Sequence, residues 1–448
     1  MALSNINNLI FTVKRSEPEL VAPEKPTPHE IKQLSDIDDQ EGARFLVPVI
    51  FFYSPIPGKY IEPVKSIREG LAKALVYYYP LAGRLFEGPN RKLMVNCNGE
   101  GVLFIEADAN VKLEELGDKI LPPCPYTEEL QWRVQPDSES ESIIIGCPLL
   151  YFQVTRFTCG GFSLGIQVNH TMMDAYGLML FLNAISELVK GASSLSIPPV
   201  WQRELLSARS PPRITCIHNE FCALSNNESP INHADGNLIL TSVFFGPKEI
   251  QSLRNHVHQI SPPSTFELIT ACLLKCRTIA LEPNPNETIL VSVITNVRHK
   301  KGLDLPISAY YGNAFVYPAS VSTAGILCGS PLIYVVDLVR RAKSQLGEEY
   351  IRSVADLMVI RGRPKYVTRW NYIVSDITRL GFDELDLGWG KPLYGGVLSA
   401  SSVISFYSRF KNGEGEDGVV VPICLPSFAL EKFQCELKKM LSEPISKL

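Results

Sequence analysis

The fold is decided by residues 161–191, which read GFSLGIQVNHTMMDAYGLMLFLNAISELVKG. At its start, apolar residues alternate with small or polar ones, a period of two that is typical of a β-strand with one apolar face. From residue 175 onward the apolar residues recur every three or four positions, which predicts a helix that Gly191 can end. We therefore expect a strand over 161–170, a short turn over 170–174 and then a helix.

The turn between them, His170-Thr171-Met172-Met173-Asp174, carries the residues of chemical interest. His170 has the parity of the apolar positions, so we expect its imidazole to point into the protein at the end of the strand. A neutral imidazole there can accept a proton near pH 7, as a general base must. Alternatively, Asp174 only caps the helix and His170 is a core residue. A single His-x-x-x-Asp leaves both interpretations open.

Two competing motifs are disfavoured by their context. Residues 161–165 fit the G-x-S-x-G of serine hydrolases, but the strand pattern continues past Ser163 and His170 follows too soon for the hydrolase order of Ser, acid and His. His256 and His258 precede Cys272 and Cys276, but those cysteines are one turn apart in an apolar helix. We expect core thiols and no metal site.

The composition excludes several classes of protein. The chain has 448 residues, 45% of them hydrophobic, with 43 Lys and Arg against 47 Asp and Glu. This balance is that of a globular protein, and it offers no basic excess for binding nucleic acid. We find no run long and apolar enough for a membrane span and expect no secretory signal. The eleven cysteines show no dense spacing, which favours reduced thiols in an intracellular protein.

The chain reads as two halves of similar length. Prolines and polar residues are concentrated between about 197 and 230, so we predict domains at 1–200 and 231–448 joined by a crossover linker at 201–230. Helices and strands mix without strict alternation, which favours two α/β domains with mixed sheets over one doubly wound parallel sheet. Besides the opening stretch, we predict helices at 63–79, 265–281, 331–353 and 427–441, and strands at 238–245, 288–295 and 418–423.

A second motif, Asp386-Leu387-Gly388-Trp389-Gly390, lies in the second half of the chain and has to be considered together with residues 170–174. Together the two resemble the HxxxD and DFGWG signatures of the plant BAHD acyltransferases. The resemblance covers essentially the whole chain, with further landmarks in the expected order at 34–38, 79–84, 296–298 and 311–313. The chain departs from the family at Leu387, usually Phe, where we expect only a packing change. It also has Leu274 where related members often carry Trp.

The resemblance implies two chloramphenicol-acetyltransferase-like domains with an active-site channel between them. It also implies that His170 is the general base in a transfer from a coenzyme A thioester, without an acyl-enzyme. Asp174 would pair with Arg298 and orient the turn. The residues of the second motif would be structural, with Asp386 anchoring a loop that also contains Gly388, Trp389 and Gly390. The thioester would be a co-substrate, no cofactor would be permanently bound, and the protein would be a monomer.

Ser264 and Thr265 precede or begin the predicted helix at 265–281. Free N–H groups at a helix start attract anions, so these residues are candidates for contacts with the coenzyme A phosphates. Ordinary N-capping explains the same residues equally well.

Other stretches resemble one branch of the family. Residues 19–23, 35–42 and 87–93 look like the members that esterify benzyl, hexenyl and other volatile alcohols. No basic cluster marks an acidic acceptor. We therefore expect transfer to a small apolar alcohol such as benzyl alcohol, with benzoyl as the first choice of acyl group and acetyl as the second. The alternatives are N-acylation of an amine and a non-catalytic BAHD-like binding protein.

The sequence ends in Ser446-Lys447-Leu448, a peroxisomal address when it is C-terminal. We therefore expect recognition by an import receptor and a peroxisomal location. The alternative is a frayed polar tail on a cytoplasmic protein.

Overall fold

The computed structural model describes residues 9–58, 62–132, 144–222, 237–257 and 261–442. The chain divides into two compact units, each assembled from several segments. The first unit comprises Met1–Leu205, Leu305–Asn313 and Leu380–Leu398. The second unit comprises Leu206–Asp304, Ala314–Arg379 and Ser399–Leu448.

Strands of the first unit form two sheets. In chain order they are β1 (Val13–Arg15), β2 (Glu19–Val21), β3 (Ile31–Gln33), β4 (Leu46–Tyr53), β5 (Arg84–Glu87), β6 (Leu93–Asn96), β7 (Val102–Ala109), β8 (Leu150–Phe157) and β9 (Phe162–Asn169). A later strand, Tyr394–Val397, joins the large sheet, whose order is β1, β7, β8, β9, β4 and then this strand, with β2 also paired to β7. Among the described strands of this sheet, only β7 and β8 run parallel to each other. Strands β3, β6 and β5 form the small sheet.

The helices of the first unit are α1 (Pro63–Tyr77), α2 (Leu113–Leu116), α3 (Thr127–Leu130) and α4 (Ala175–Val189). Helix α1 packs against α4, and a side-chain carbon at Gly70 would lie 2.5 Å from Val189 Cγ2, so glycine permits this close approach. Helix α4 ends where predicted, since Gly191 follows it with φ +91°.

The strands of the second unit form one mixed sheet. They are β10 (Leu238–Phe245), β11 (Thr288–Asn296), β12 (Phe315–Val316), β13 (Ala319–Thr323), β14 (Asn371–Asp376), β16 (Ile404–Lys411) and β17 (Asp417–Pro426). The label β15 belongs to the strand Tyr394–Val397, which is part of the first unit. Their order is β10, β17, β16, β14, β11 and β12, with β13 also on β11. The pairs β11–β14 and β14–β16 are parallel, and the others are antiparallel.

The helices of the second unit are α5 (Pro247–Asn255), α6 (Thr265–Leu281), α7 (Ala324–Gly329), α8 (Leu332–Ser344), α9 (Glu348–Ile360) and α10 (Ser427–Leu441). Helix α6 packs against α8 and α10, and its side chains contribute much of this unit's apolar core. Leu274 lies in that core and is 1% exposed.

The predicted fold class is confirmed, because both units combine helices with mixed sheets. One predicted helix was wrong in extent: 331–353 is two helices, α8 and α9. The break falls at Gly347, whose backbone is extended (φ −125°, ψ 171°) and precedes the first residue of α9. Glycine is a poor helix former, which makes it a natural place for the break.

The compact units also divide the chain differently from the predicted domains. The boundary at Leu205 and Leu206 falls within the predicted linker, of which residues 223–230 lie outside the described part. Residues 380–398, predicted in the second half, belong to the first unit because β15 within them pairs with β4. The predicted start of the second half, 231–236, also lies outside the described residues.

Candidate active site

The position of His170 is set by strand β9. Its neighbours in the sheet are β4 and β8. All of its residues are buried except Gln167, so three of the four residues predicted for a polar face are buried as well. His170 follows directly after this strand, and its N–H donates to the carbonyl oxygen of Phe45 at 3.0 Å. The imidazole is half-buried and meets the Phe45 ring edge to face, with 5.4 Å between ring centroids.

The hydrogen bonding of the imidazole selects one tautomer. Nδ1 of His170 lies 3.2 Å from the carbonyl oxygen of Met173. A carbonyl oxygen only accepts, so Nδ1 carries the hydrogen of the neutral ring and Nε2 keeps its lone pair. Burial lowers the pKa of His170 from its ordinary value, against the opposing effects of nearby backbone groups and the Asp174 carboxylate. The ring is therefore neutral at pH 7, with Nε2 able to accept a proton.

Asp174 caps α4. Its Oδ1 accepts a hydrogen bond of 2.9 Å from the backbone N–H of Gly177, in the position expected of an N-cap aspartate. The capping alternative raised for Asp174 thus describes a contact that is present. It is compatible with an additional interaction of this carboxylate.

Arg298 lies in the second unit, just after β11. Its side chain is 2% exposed, and its backbone N–H donates to Asn296 Oδ1 at 2.9 Å. The pairing of Arg298 with Asp174 stays a prediction from the family resemblance.

Asp38, Arg203 and Asn313, to which the sequence assigned no role, form a hydrogen-bond network that includes the turn at 170–174. Nδ2 of Asn313 donates to the carbonyl oxygen of His170 at 2.8 Å, and Nη2 of Arg203 donates to that of Met172 at 2.8 Å. Both side chains also donate to the carboxylate of Asp38. The only sequence signal was the presence of Asp38 and Asn313 within two family landmarks, and nothing singled out Arg203.

Residues 386–390 form a loop of the first unit held by its own aspartate. Oδ1 of Asp386 accepts from the N–H groups of Gly388 and Gly390, both at 2.8 Å, and its Oδ2 lies 2.9 Å from Lys190 Nζ. Partial burial disfavours the charged carboxylate, but these hydrogen bonds outweigh it and lower the pKa of Asp386 from its ordinary value. The two glycines have φ of +102° and +82°, a region that glycine enters without strain.

The loop is also fastened to α4 and β9. Ser186 Oγ donates to the carbonyl oxygen of Asp386 at 2.6 Å. The Trp389 ring meets Phe162 edge to face, with centroids 5.1 Å apart, and Leu387 is fully buried. These contacts join the second motif to the strand and the helix on either side of His170, although the motif is more than 200 residues away in sequence.

Ser264 is the N-cap of α6. Its Oγ accepts from the N–H of Glu267, and the Glu267 carboxylate accepts from the N–H of Ser264, which is a reciprocal capping box. Thr265 is the first residue of the helix. Glu267 also bonds Arg340 and Lys343. The suggested coenzyme A contacts of Ser264 and Thr265 stay predictions.

The serine hydrolase motif and the His and Cys pairs, which their sequence context disfavours as functional sites, contain residues buried in β9 and α6. Ser163 is buried within β9 and paired on both sides, so it does not stand on the sharp turn that a nucleophile elbow needs. Cys272 and Cys276 are buried in α6, where their mutual contact and burial raise the pKa of Cys272. The Cys272 thiol therefore stays protonated. His258 lies outside the described residues.

The described ranges contain neither a metal-binding cluster nor a membrane-spanning helix. No cluster of three or more His, Cys, Asp or Glu side chains there is arranged to hold a metal ion. No helix within those same ranges has the length and apolar character needed to cross a membrane.

Comparison with known proteins gives consistent matches along nearly the whole chain. The family model described as Transferase family matches residues 11–440. Alcohol acyl transferase 2 of Malus domestica is 56% identical, in an alignment that spans 97% of this chain and 95% of that protein.

Solved structures show the same fold at low sequence identity. The crystal structure of vinorine synthase has a TM-score of 0.71 and 22% identity, covering 97% of this chain and all of that one. TRI101 of F. sporotrichioides, solved in complex with coenzyme A and T-2, has a TM-score of 0.66 and 16% identity over 92% of this chain and 98% of that one.

Proposed function

We infer the reaction from the premise that this chain belongs to the Transferase family, the family of the BAHD acyltransferases. The resemblance seen in residues 170–174 and 386–390 is thereby confirmed. We propose that the protein is an enzyme that transfers an acyl group from a coenzyme A thioester to the hydroxyl group of an alcohol. Support comes from the relative named alcohol acyl transferase and from the coenzyme A bound in the TRI101 structure.

The observation that carries the proposal is the hydrogen bond between His170 Nδ1 and the carbonyl oxygen of Met173. With Nδ1 protonated, Nε2 takes the proton of the alcohol hydroxyl as the oxygen attacks the thioester carbonyl carbon. The tetrahedral intermediate collapses, the carbon–sulfur bond breaks, and the coenzyme A thiolate takes the proton back from Nε2. The products are the ester and free coenzyme A, without a covalent acyl-enzyme.

For the substrates we propose benzoyl transfer to benzyl alcohol, followed in preference by acetyl transfer and by aliphatic alcohols. The sequence stretches that resemble the branch acting on volatile alcohols support this choice. The net charge of −4 is also compatible with it, because an apolar alcohol needs no basic field to attract it.

Release of free thiol from the thioester by the purified protein tests both the proposed O-acylation and the proposed choice of substrates. Benzoyl-CoA and acetyl-CoA are each incubated with benzyl alcohol, with hexenol and with benzylamine. We expect thiol release and ester formation with the alcohols, fastest with benzoyl-CoA and benzyl alcohol. Benzoyl-CoA turnover no faster than the enzyme-free blank refutes the benzoyl assignment. Faster release with the amine than with either alcohol refutes O-acylation.

The peroxisomal address at 446–448 lies outside the described residues and stays a prediction. Fluorescently tagged protein is expected in puncta, and removal of Ser446-Lys447-Leu448 is expected to disperse it. Puncta that persist after the deletion contradict import through this tripeptide.

A further inference from the structure

We propose that Asp38 is a positioning residue for the proton-accepting imidazole of His170, and that it acts through Asn313 and Arg203. The inference rests on the proposed function, because it assigns these residues a part in the same reaction. The described hydrogen bonds to the Asp38 side chain come from Ser35, Arg203 and Asn313, so we assign it an indirect part in the reaction.

The Asp38 carboxylate is the centre of a buried hydrogen-bond network. The side chain is 0% exposed. Its Oδ1 accepts three hydrogen bonds, from Arg203 Nη1 at 2.6 Å and from the backbone N–H and Nδ2 of Asn313, both at 2.9 Å. Its Oδ2 accepts two, from the N–H and the hydroxyl of Ser35 at 2.9 and 2.6 Å. Five donors around one carboxylate fix its position and orientation.

The network reaches the turn at two carbonyl groups. Asn313 Nδ2 has two hydrogens and uses one for Asp38 Oδ1 and the other for the carbonyl oxygen of His170. Arg203 similarly divides its donors between Asp38 and the carbonyl oxygen of Met172. The carboxylate therefore orients both donors, and the donors fix the backbone at residues 170 and 172.

Fixing this backbone matters for the imidazole because of Met173. Its carbonyl oxygen follows directly after the residue that Arg203 holds, and it accepts the hydrogen bond from His170 Nδ1. If the turn is displaced, that hydrogen bond becomes longer. The imidazole ring is then less firmly oriented, and the tautomer with Nδ1 protonated is less favoured. Misplacing a catalytic group by about 1 Å can reduce the rate by about 100-fold.

The donors around Asp38 need a side chain that accepts hydrogen bonds at both of its terminal atoms. Asn has the same shape as Asp but presents an NH2 group, so in Asp38→Asn either the three donors at Oδ1 or the two at Oδ2 face another donor. The same substitution leaves the buried guanidinium of Arg203, 1% exposed, without its charged partner. The turn is then no longer held at both carbonyls.

The test is steady-state kinetics of the full-length Asp38→Asn variant, with the thioester and the alcohol each varied. We expect kcat to fall by about 10- to 100-fold, with the KM of both substrates changed by less than about 3-fold. Asn313→Ala is the second variant. It breaks the bond to the His170 carbonyl but leaves Asp38 bonded to Arg203 and Ser35, and we expect it to lower kcat in the same way.

Asp356→Asn is the matched control for loss of a buried carboxylate. Asp356 is 0% exposed and accepts from the N–H and Nε of Arg209, at 2.7 and 2.6 Å, and from the N–H of Arg213 at 3.1 Å. It belongs to the second unit, and the hydrogen bonds described for it go to residues 209 and 213 of that same unit. We expect it to lose thermal stability as Asp38→Asn does, but to keep the wild-type kcat.

A double mutant separates positioning from general stability. In a His170→Ala background the imidazole is gone, so adding Asp38→Asn should not reduce the residual kcat further. A further 10-fold loss there overturns the proposal, as does a wild-type kcat in Asn313→Ala or a kcat loss in Asp356→Asn equal to that of Asp38→Asn. Absence of thioester turnover by the wild type instead refutes the proposed function, so the two failures are distinguishable.

Discussion

Gly177→Ala is expected to destabilise the protein although it places a better helix former in α4. Alanine in a helix interior is ordinarily favoured over glycine by about 1 kcal/mol. At Gly177, however, the added Cβ would lie 2.0 Å from the carbonyl oxygen and 2.8 Å from the carbonyl carbon of Tyr311. Both are backbone atoms, so no side chain can rotate away and either the helix or the 311 segment must shift.

The size of the effect follows from these two opposing contributions. Overpacking a filled site costs about 1–3 kcal/mol and occasionally more, and backbone contact at 2.0 Å belongs at the upper end. After the helix-propensity gain, we expect a net loss of about 2 kcal/mol. For a domain of about 150–250 residues this lowers Tm by roughly 4–8 °C. Because Tyr311 stands two residues before Asn313, we also expect a lower kcat.

Thermal unfolding followed by circular dichroism, together with kcat, measures both consequences. Gly329→Ala in α7 is the control, since no described atom apart from its chain neighbours and the backbone of its own helix lies within 4 Å of the Cβ it would add. We expect that variant to match or slightly exceed the wild-type Tm at unchanged kcat. A Gly177→Ala protein that melts at or above the wild-type temperature refutes the packing argument.

Three further predictions follow from the site. Burial lowers the pKa of His170, so kcat/KM should be flat from pH 7 to 8 and fall in acid with a midpoint below 6.5; a midpoint above 7 contradicts this. Asp386→Ala should lower the free energy of unfolding by about 1–2 kcal/mol at pH 7, a range that allows for a side chain that is 39% exposed. Because the pKa of Asp386 is lowered on folding, that cost should shrink as the pH falls through the folded-state value, and a pH-independent cost would contradict it. Leu387→Phe should change the free energy of unfolding by less than about 3 kcal/mol at unchanged kcat, and a large kcat change would show that this buried side chain does more than pack.

Local periodicity was enough to predict much of the secondary structure. Strand β9, the helix that Gly191 follows and helix α6 match their predicted ranges closely, because each has a continuous apolar pattern. The same reasoning joined α8 and α9, because the apolar spacing continues across residues 345–347, where the helix is interrupted and Gly347 has an extended backbone.

Long-range pairing was beyond the reach of such patterns. Residues 394–397 pair with β4, more than 300 positions earlier, and so bring the loop at 386–390 into the first unit. The roles inferred for Asp38, Arg203 and Asn313 depend in the same way on contacts between distant segments. Sequence spacing cannot show which of several buried polar residues will share one carboxylate. His170 was identified because strand parity and two family motifs both pointed to it.

The central claim is that His170 accepts the proton of the alcohol. Its most direct test compares His170→Ala with the wild type in kcat and in the Kd for coenzyme A measured by calorimetry. We expect kcat to fall by about 10²- to 10⁴-fold while the Kd changes by less than about 3-fold. A variant that keeps a kcat close to that of the wild type would contradict the assignment of the general base.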